Sequence, residues 1–556
     1  MENNELNAII RKYALVNATE HEGVAQPKSV LGRVLAEYPD LRLRVLEIKN
    51  LSERVCDEVN RLTTEKQKKE LESVGPIEMI KKEERKGLPD LDINRDRVVM
   101  RFAPNPDGAL HLGNARPAIL CHEYVKKYKG LLILRFDDTD PKIKKPDKKY
   151  YTWIREDLKW LGIKWDKEVI SSKRLNIYYK HAEALIKIGG AYVCTCSDAW
   201  KKLRDAGKPC PCRDASKETQ TKKWKKMLSA NTKPKNAYRE GEAVLRIKTN
   251  MELKNPEARD WPAVRIVDSP EHPLGKKRVW PLYNFASAID DHLLGVTHIM
   301  RGQEHATNEI KQRFVYQYFK WSYPFTIILG RISLSNMVLS KSEIREGIEK
   351  DIFRGWDDPK VGTIRSLRRR GYSAEAIRQI IMDIGPKPSD MTISLENLSA
   401  YNRKIIDKKA NRYFFIHDPK KIEVTGLKTK NAKIALHPEE KRGFRNISLG
   451  KYFFVEKSDF LSCRGQEVRL MGLCNIKLAE KSKFTGTELK AVPKMHWLPS
   501  KFIKANIIMQ EKTIKGIVET SIKKEKPGAI IQFERFGFCR LEKIGKKEII
   551  AVFGHK

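Results

Sequence analysis

The strongest constraint on the fold of this chain is a change of pattern that begins at Val98. Two short apolar runs, VVMRFAP and LLILRFDDTD, have the character of strands, and the segment LGNARPAILCHEYVKKY between them has helical periodicity. A strand, a helix and a second strand in this order form the repeating unit of a parallel sheet. The pattern breaks between about residues 191 and 280 and returns at VWPLYNFASAIDDHLLGVTHIMRG, which predicts one α/β domain interrupted by an insertion.

The rest of the chain follows two other patterns. Apolar residues recur at helical spacing before residue 95, so we predict helices there, followed by the charged stretch KKEERKGLPDLD as a linker. Residues 350 to about 410 also have a helical pattern. Beyond Asn411, many short strand-like runs lie at near-regular spacing, which indicates β-barrels. The sequence therefore predicts a multidomain α/β protein with an all-β C-terminal region.

The composition narrows the possible partners and the compartment. The 556 residues carry 109 Lys and Arg against 71 Asp and Glu, and this net charge of +38 favours a polyanionic partner, with a general lysine bias as the alternative explanation. No apolar run approaches the ~20 residues of a membrane helix, and the first residues lack the pattern of a secretory signal. Nine cysteines, four of them in one short stretch, predict a reducing cytoplasm and a metal site more than disulfide bonds.

The loop after the first predicted strand, APNPDGALHLGN, has the features of an anion site. A helix N-terminus offers free backbone N–H groups and partial positive charge, and it is placed here at the carboxyl end of a strand. Gly108 and Gly113 are expected to let a ligand approach the backbone, and His111 can donate a hydrogen bond to a phosphate oxygen. An ordinary loop with a capping histidine is the alternative interpretation.

A second segment, VLSKSEI, follows a later predicted strand. Lys341 lies there between Ser340 and Ser342, and a lysine between two small hydroxyl residues suits a pyrophosphate leaving group, whose charge it can neutralise. Taken alone, the segment is equally typical of a solvated loop.

Together, the two segments resemble the "HIGH" and "KMSKS" signatures of class I aminoacyl-tRNA synthetases. LRFDDTD, SSKRLNIYYKHAEALI, GGAYVCTC and GAIIQFERFGFCRLE are similar to the glutamyl and glutaminyl branch, and the β-rich C-terminal third is similar to its archaeal and eukaryotic form. The resemblance runs from about residue 97 to the C-terminus. Asn114 replaces the second histidine of the first signature and Val338 the first lysine of the second, so we expect altered ATP contact without loss of activity.

The resemblance implies a role for each region. The implied domains are an N-terminal helical domain (1–95), a Rossmann-like catalytic domain (96–190 and 281–349), an acceptor-end-binding insertion (191–280), a helical stem-contact region (350–410) and a β-barrel anticodon-binding domain (411–556). Phe533, Phe536 and Phe538 are expected in a barrel core, with a base-stacking platform as the alternative. The N-terminal helices are interpreted either as a docking site for a protein partner or as a structural cap.

The amino acid is implied to be glutamate, because Arg301 falls where glutamyl enzymes carry an arginine and glutaminyl enzymes a small uncharged residue. An anionic side chain needs a cation, whereas a buried guanidinium facing a neutral amide would stay unpaired. The same resemblance assigns Arg101, Asp137, Tyr283 and Ser287 to the glutamate pocket, with Asp137 on the α-ammonium group. A surface arginine at a strand end is the alternative for Arg301.

Four cysteines of the insertion, Cys194, Cys196, Cys210 and Cys212, could close a tetrahedral thiolate site for structural zinc. Related enzymes hold a zinc in this insertion, and four free buried thiols are the alternative.

The implied activity is that of a cytoplasmic glutamate–tRNA ligase that binds no membrane. ATP with Mg²⁺ would activate L-glutamate, and tRNA would be bound at its acceptor end and anticodon. His111 and Lys341 are the expected catalytic residues. The residues expected to bind ATP are Pro104, Gly108, His111, Gly113, Asn114, Ser340, Lys341 and Ser342. A glutaminyl-tRNA synthetase and a catalytically inactive tRNA-binding scaffold are the alternatives.

Overall fold

The computed structural model of the chain describes residues 3–20, 23–38, 41, 44–74, 87–92 and 97–556. The chain divides into two compact units, Met1–Lys86 and Gly87–Lys556. The predicted boundary at residues 95 and 96 and the first half of the predicted linker, 81–86, lie outside the described residues. The second half of that linker packs on the second unit, where Leu91 is buried and its backbone N–H donates to the Tyr128 hydroxyl at 2.9 Å.

The first unit is helical, as its apolar periodicity predicts. Leu6, Ile10 and Ala14, spaced four residues apart on the first helix, form a buried stripe that belongs to one core with Val55 and Val59 of the third. Its helices are α1 (Asn3–Glu20), α2 (Pro27–Glu37), α3 (Val45–Asn60) and α4 (Thr64–Val74).

The second unit opens with alternating strands and helices. Its first elements are β1 (Val99–Phe102), α5 (Leu112–Lys127), β2 (Leu131–Phe136), α6 (Lys148–Trp160), β3 (Lys167–Ile170) and α7 (Leu175–Lys187). An insertion follows α7, and after it the second half of the α/β domain continues the alternation of strands and helices. The insertion contains β4 (Ala191–Cys194), α8 (Ala199–Asp205), α9 (Lys217–Leu228), β5 (Val244–Ile247), β6 (Pro262–Ile266) and β7 (Val279–Pro281), and the second half consists of α10 (Tyr283–Leu293), β8 (His298–Gly302), α11 (Ala306–Phe319) and β9 (Phe325–Leu329).

A five-stranded parallel sheet organises these elements, in the order β3-β2-β1-β8-β9. Every residue of β1 is buried, as expected for a strand covered on both faces. The strand order reverses between β1 and β8, and ligands of such sheets bind in the crevice at the carboxyl ends of the strands where this reversal occurs. The insertion forms a separate antiparallel sheet, β4-β5-β6-β7.

A mainly helical segment follows the parallel sheet. It contains β10 (Ile332–Leu334), α12 (Lys341–Glu349), α13 (Ile364–Arg369), α14 (Ala374–Ile384), β11 (Met391–Ile393) and α15 (Leu395–Ile406). Two arginines at the end of α13 join this segment to the C-terminal region. Arg369 pairs with Glu542, and the Arg370 guanidinium donates to the Gly554 carbonyl at 2.7 Å.

The C-terminal region is all-β except for one short α-helix and the 3-10 helix Thr520–Lys524, which confirms the predicted all-β region. Its elements are β12 (Asn411–Tyr413), β13 (Phe415–Ile416), β14 (Pro419–Thr425), β15 (Asn431–Ala435), β16 (Phe444–Ser448), β17 (Tyr452–Glu456), α16 (Lys457–Cys463), β18 (Glu467–Leu470), β19 (Cys474–Lys477), β20 (Lys481–Gly486), β21 (Lys494–Met495), β22 (Trp497–Pro499), β23 (Phe502–Ile508), β24 (Thr513–Glu519), β25 (Ile530–Phe533), β26 (Gly537–Ile544) and β27 (Glu548–His555).

Two seven-stranded sheets and the two-stranded antiparallel sheet β15-β16 make up this region. One runs β12-β25-β26-β27-β23-β24-β13, and because its two edge strands are joined through Phe414 alone, the sheet is nearly closed on itself. The other runs β21-β18-β19-β20-β14-β17-β22. Phe533 lies in the core of the first sheet and Phe536 packs against that core, as predicted. Phe538 is also buried, but in a separate cluster with Ile406 and Ala410. In the described part of the chain, no helix combines the length and apolar character needed to cross a bilayer.

Candidate active site

A cavity of about 1120 Å³ lies at the carboxyl ends of β1 and β8, where the strand order reverses. Gly108 and Ser287, which were also expected in the site, do not line this cavity. The structure brings the other expected ATP and glutamate residues together around it: Arg101, Pro104, His111, Gly113, Asn114, Asp137, Tyr283, Arg301, Ser340, Lys341 and Ser342.

The first signature loop runs from β1 into α5. His111 is the extended residue that precedes α5, and its backbone N–H donates to the Asn114 side-chain oxygen at 3.3 Å, so Asn114 caps the helix. A Cβ on Gly113 would lie 3.0 Å from the His111 ring, which explains why the smallest residue stands there. Burial, reinforced by Lys341, lowers the pKa of His111 to about 3, so the imidazole is neutral at physiological pH. A neutral imidazole still donates one hydrogen bond.

Gly108 stands at a position where a side chain would collide with a neighbouring residue. A Cβ at this position would lie 2.4 Å from the indole ring of Trp356. Gly108 therefore lets the loop pack against Trp356, beneath the residues that face the cavity. The expected contact of Gly108 with ATP stays a prediction.

The second signature loop leads into α12 and lies against the first loop. The Lys341 ammonium group donates to the Asp107 carboxylate at 2.9 Å and to the Asn105 carbonyl at 3.0 Å. Arg345 also contacts Asp107, which is 7% exposed. Burial lowers the pKa of Lys341, while Asp107 opposes this change. Sequence reasoning missed Asp107, although an acidic residue inside a loop expected to bind phosphate was a visible signal.

A short extended segment before α13 holds both loops. The Gly362 carbonyl accepts from the Leu112 N–H at 3.1 Å, and the Ile364 N–H donates to the Leu110 carbonyl at 2.8 Å. The Gly362 N–H donates to the Val338 carbonyl at 2.8 Å. Residues 361–364, called the clamp segment below, therefore bond to the first loop and to the second.

A buried charge network forms one wall of the site. Arg135 on β2 is fully buried and donates to Asp137 at 2.7 Å, to Asp291 at 2.6 Å and to the Ser287 hydroxyl at 2.8 Å. Arg101 on β1 donates to Asp291 at 3.1 Å. Ser287 is thus placed behind the wall, where it orients Arg135. Sequence reasoning missed Arg135 and Asp291; an arginine inside an apolar strand was the available signal.

Burial and pairing act in opposite directions on the charges of this wall. Burial alone would raise the pKa of Asp291, but Arg101 and Arg135 outweigh it and hold that pKa below its ordinary value. Burial raises the pKa of Asp137, against the opposing effect of Arg135. Burial would lower the pKa of Arg101, but Asp291 outweighs it and raises that pKa. Arg101 and Arg135 therefore have protein carboxylates as partners, and one face of Asp137 borders the cavity.

Arg301, at the end of β8, has a different environment. Its side chain is 6% exposed, and its Nη2 donates to the Gln312 side-chain oxygen at 3.0 Å and to the Tyr323 hydroxyl at 2.9 Å. Its Nε and Nη1 are buried without a hydrogen-bond partner among the described residues. Tyr283, at the start of α10, is 40% exposed and lines the same cavity.

The four cysteines of the insertion converge as their spacing predicts. The sulfur atoms of Cys194, Cys196, Cys210 and Cys212 all lie within 4.8 Å of one another, and the closest pairs are 3.1 to 3.7 Å apart. Four thiolates held at the usual Zn–S distance of about 2.3 Å would be about 3.8 Å apart, so this donor set fits zinc. None of the four cysteines forms a disulfide bond.

The fold and the crevice define a nucleotide-binding domain of the doubly wound α/β class. The family model "tRNA synthetases class I (E and Q), catalytic domain" matches residues 97–408, and two models described as "tRNA synthetases class I (E and Q), anti-codon binding domain" match residues 410–493 and 490–542. The chain belongs to this family, the class I tRNA synthetases of the E and Q branch.

Full-length relatives agree with this assignment. The glutamate–tRNA ligase of Pyrococcus furiosus is 50% identical over 578 residues, which cover 99% of this chain and 100% of the relative. That of Pyrococcus abyssi is 50% identical over 577 residues, with coverage of 99% and 100%. Among solved structures, a glutamate tRNA ligase from Elizabethkingia meningosepticum is 21% identical, with a TM-score of 0.41 over 56% of this chain and 71% of its own.

Proposed function

We propose that this chain is a glutamate–tRNA ligase. It activates L-glutamate with ATP to glutamyl-adenylate and transfers the glutamyl group to the 3′ end of the tRNA for glutamate, giving AMP and diphosphate. The observation that carries the choice of amino acid is Arg301, whose Nε and Nη1 are buried beside the cavity with no hydrogen-bond partner among the described residues. An unpaired buried guanidinium is costly, and a carboxylate ligand would satisfy it with charge-assisted hydrogen bonds.

The first step needs positioning and charge stabilisation more than a covalent enzyme intermediate. The α-carboxylate of glutamate attacks the α-phosphorus of ATP, and diphosphate leaves. His111 and Lys341, which both line the cavity, would stabilise the phosphate charge, and Mg²⁺ would enter with ATP. A neutral His111 donates to an oxygen without adding a charge of its own. Ser340, Ser342, Gly113, Asn114 and Pro104 would complete the ATP contacts.

The amino acid would lie between Arg301 and the charge network. In this arrangement Arg301 binds the side-chain carboxylate and Asp137 binds the α-ammonium group, with Tyr283 bordering the pocket. Arg101, already paired with Asp291, adds positive potential to that wall. In the second step, the terminal adenosine of tRNA attacks the adenylate carbonyl and AMP leaves.

The remaining regions would bind tRNA. The insertion would guide the acceptor end, with zinc holding Cys194, Cys196, Cys210 and Cys212 together as a structural site that leaves no open position. The barrels would recognise the anticodon, because unstacked bases are the usual target of sequence-specific RNA recognition. We further propose a cytoplasmic location and a docking role for the N-terminal helices.

Aminoacylation by the purified full-length protein tests the proposal. Labelled glutamate and labelled glutamine are each supplied with ATP, Mg²⁺ and either the tRNA for glutamate or the tRNA for glutamine. We expect glutamate to be attached to its tRNA and glutamine to neither. The Lys341→Ala protein, prepared identically, should be inactive, which excludes a contaminating host enzyme.

Each contrary result has a distinct meaning. Attachment of glutamine in place of glutamate would identify a glutaminyl-tRNA synthetase. Binding of tRNA without attachment of either amino acid would identify an inactive scaffold. Attachment of glutamate to the tRNA for glutamine as well would leave the proposed activity intact and show that the barrels accept both anticodons.

A further inference from the structure

The groups that hold Arg301 are themselves neutral, and among the described residues they leave two of its guanidinium nitrogens unpaired. Gln312 on α11 is fully buried, and its side-chain oxygen accepts both the Arg301 Nη2 at 3.0 Å and the Tyr323 hydroxyl at 2.7 Å. Tyr323 in turn accepts the same Nη2 at 2.9 Å. One guanidinium nitrogen is thus bonded twice by uncharged oxygens, and the other two nitrogens remain unpaired beside the cavity.

Other buried arginines of the crevice differ from Arg301 in their partners. Arg116, which also lines the cavity, is bonded only by uncharged backbone carbonyls, but each of its three guanidinium nitrogens donates to one. Arg101 and Arg135 both donate to carboxylates, so the protein itself neutralises them. Around Arg301, hydrogen bonding fixes the direction of the guanidinium without supplying a negative charge. A carboxylate at position 312 would also orient the Arg301 guanidinium, but its negative charge would neutralise the arginine in the absence of substrate.

The orientation of the Gln312 amide follows from the same network. Its oxygen must face Arg301 and Tyr323, because both of these groups have an N–H or O–H directed at it. Its nitrogen then donates to the Asn284 side-chain oxygen at 3.4 Å, and Asn284 lines the cavity. Gln312 is therefore connected to the pocket through the charged Arg301 and through the neutral Asn284.

We propose that Gln312 and Tyr323 are positioning residues that determine the preference for an acidic amino acid. They hold Arg301 by one nitrogen, aim the remaining N–H groups into the pocket and leave the positive charge for the ligand. This inference rests on the proposed glutamate-activating function and adds to it the residues that set its selectivity. Neither residue contacts the substrate in this proposal, since both act through Arg301.

The decisive variant is Gln312→Glu, which keeps size and shape but puts a carboxylate 3.0 Å from the arginine. The new ion pair competes with the substrate carboxylate. We expect the KM for glutamate to rise about tenfold or more, because a charge-assisted hydrogen bond contributes at least about one tenfold step in affinity. The KM for ATP should stay within about twofold, and the ratio of kcat/KM for glutamate over glutamine should fall about tenfold.

Tyr323→Phe and Gln317→Glu complete the experiment. Tyr323→Phe removes one acceptor of Nη2 without adding charge, so the KM for glutamate should rise about two- to tenfold. Gln317→Glu makes the same chemical change as Gln312→Glu on the exposed side of the same helix and should match the wild type. ATP–pyrophosphate exchange with tRNA present supplies all these constants, and thermal unfolding confirms that each variant is folded.

The outcomes separate this inference from the proposed function. A wild-type protein without glutamate-dependent exchange would refute the function itself. If the wild type activates glutamate while folded Gln312→Glu and Tyr323→Phe keep its KM and its selectivity, the inference is refuted. Should Gln312→Glu fail to fold, Tyr323→Phe alone decides: a raised KM for glutamate with an unchanged KM for ATP supports the inference, and two unchanged constants refute it.

Discussion

Replacement of Arg301 by alanine removes the cation on which the choice of amino acid depends. The side chain is 6% exposed, and two of its nitrogens have no partner in the described part of the chain. Each hydrogen bond to a charged group contributes roughly 1.5 to 3 kcal/mol, and breaking a buried ion pair costs about 3 to 5 kcal/mol. If both free groups bind the substrate carboxylate, kcat/KM for glutamate should fall by roughly two to four orders of magnitude.

Exchange of pyrophosphate with ATP, measured with tRNA present, separates this loss from a general defect. The KM for ATP should change by less than about threefold, because the two signature loops do not bond to Arg301. Arg44→Ala is the matched control, since that guanidinium pairs with Glu47 in the first unit, outside the catalytic domain and the proposed tRNA-binding regions. A folded Arg301→Ala protein with the wild-type kcat/KM for glutamate would refute the assignment of the acidic substrate.

Three further predictions concern metal, packing and pH. Protein purified without chelators should contain about one zinc per chain and Cys212→Ser protein much less; under about half an equivalent in the wild type would remove the zinc proposal. Gly108→Ala should lower the free energy of unfolding by about 1 to 3 kcal/mol, because the added methyl group meets Trp356. Gly355→Ala is the control and should be nearly neutral, since no neighbour lies closer than 3.4 Å to the added methyl group. An equal loss of stability in the two variants would contradict the packing role of Gly108. Burial, with Arg535 beside it, lowers the pKa of His496 from 6.5 to about 4. The unfolded protein therefore takes up a proton at a higher pH than the folded protein does. The stability that neutral His496 contributes is complete above pH 6.5 and falls as the pH is lowered from 6.5 towards 4, by about 2 kcal/mol at pH 5. The unfolding temperature of His496→Gln protein should therefore depend less on pH between 6.5 and 5, and a pH dependence as steep as that of the wild type would count against this explanation.

Local patterns in the sequence predict the elements of this fold well, because each pattern reflects burial. The apolar run at β1, the helical period of α5 and the short strands after Asn411 all appear in the structure where they were expected. The two signature loops were also identifiable, since together they resemble the two signatures of class I aminoacyl-tRNA synthetases. Their convergence on one cavity follows from the parallel sheet.

Partners distant in the sequence could not be predicted in the same way. Arg135 meets Asp291 156 positions later, and Lys341 meets Asp107 234 positions earlier. Gln312 is one polar residue on a helix, and its sequence neighbours carry no sign that it accepts from Arg301. Gly108 is a further case, since the side chain that a Cβ at this position would meet belongs to a tryptophan 248 positions downstream. These relationships exist only after the chain has folded.

The clamp segment at 361–364 has a consequence for protein engineering. It fixes both signature loops, and α13, which continues from it, is anchored by Arg370 on the carbonyl of Gly554 near the C-terminus. A chimera that joins a foreign C-terminal barrel at the border near residue 410 would replace that anchor and is expected to disturb the two signature loops as well. The better crossover point lies upstream of Val361, so that the clamp, α13 and the barrel are exchanged as one cassette.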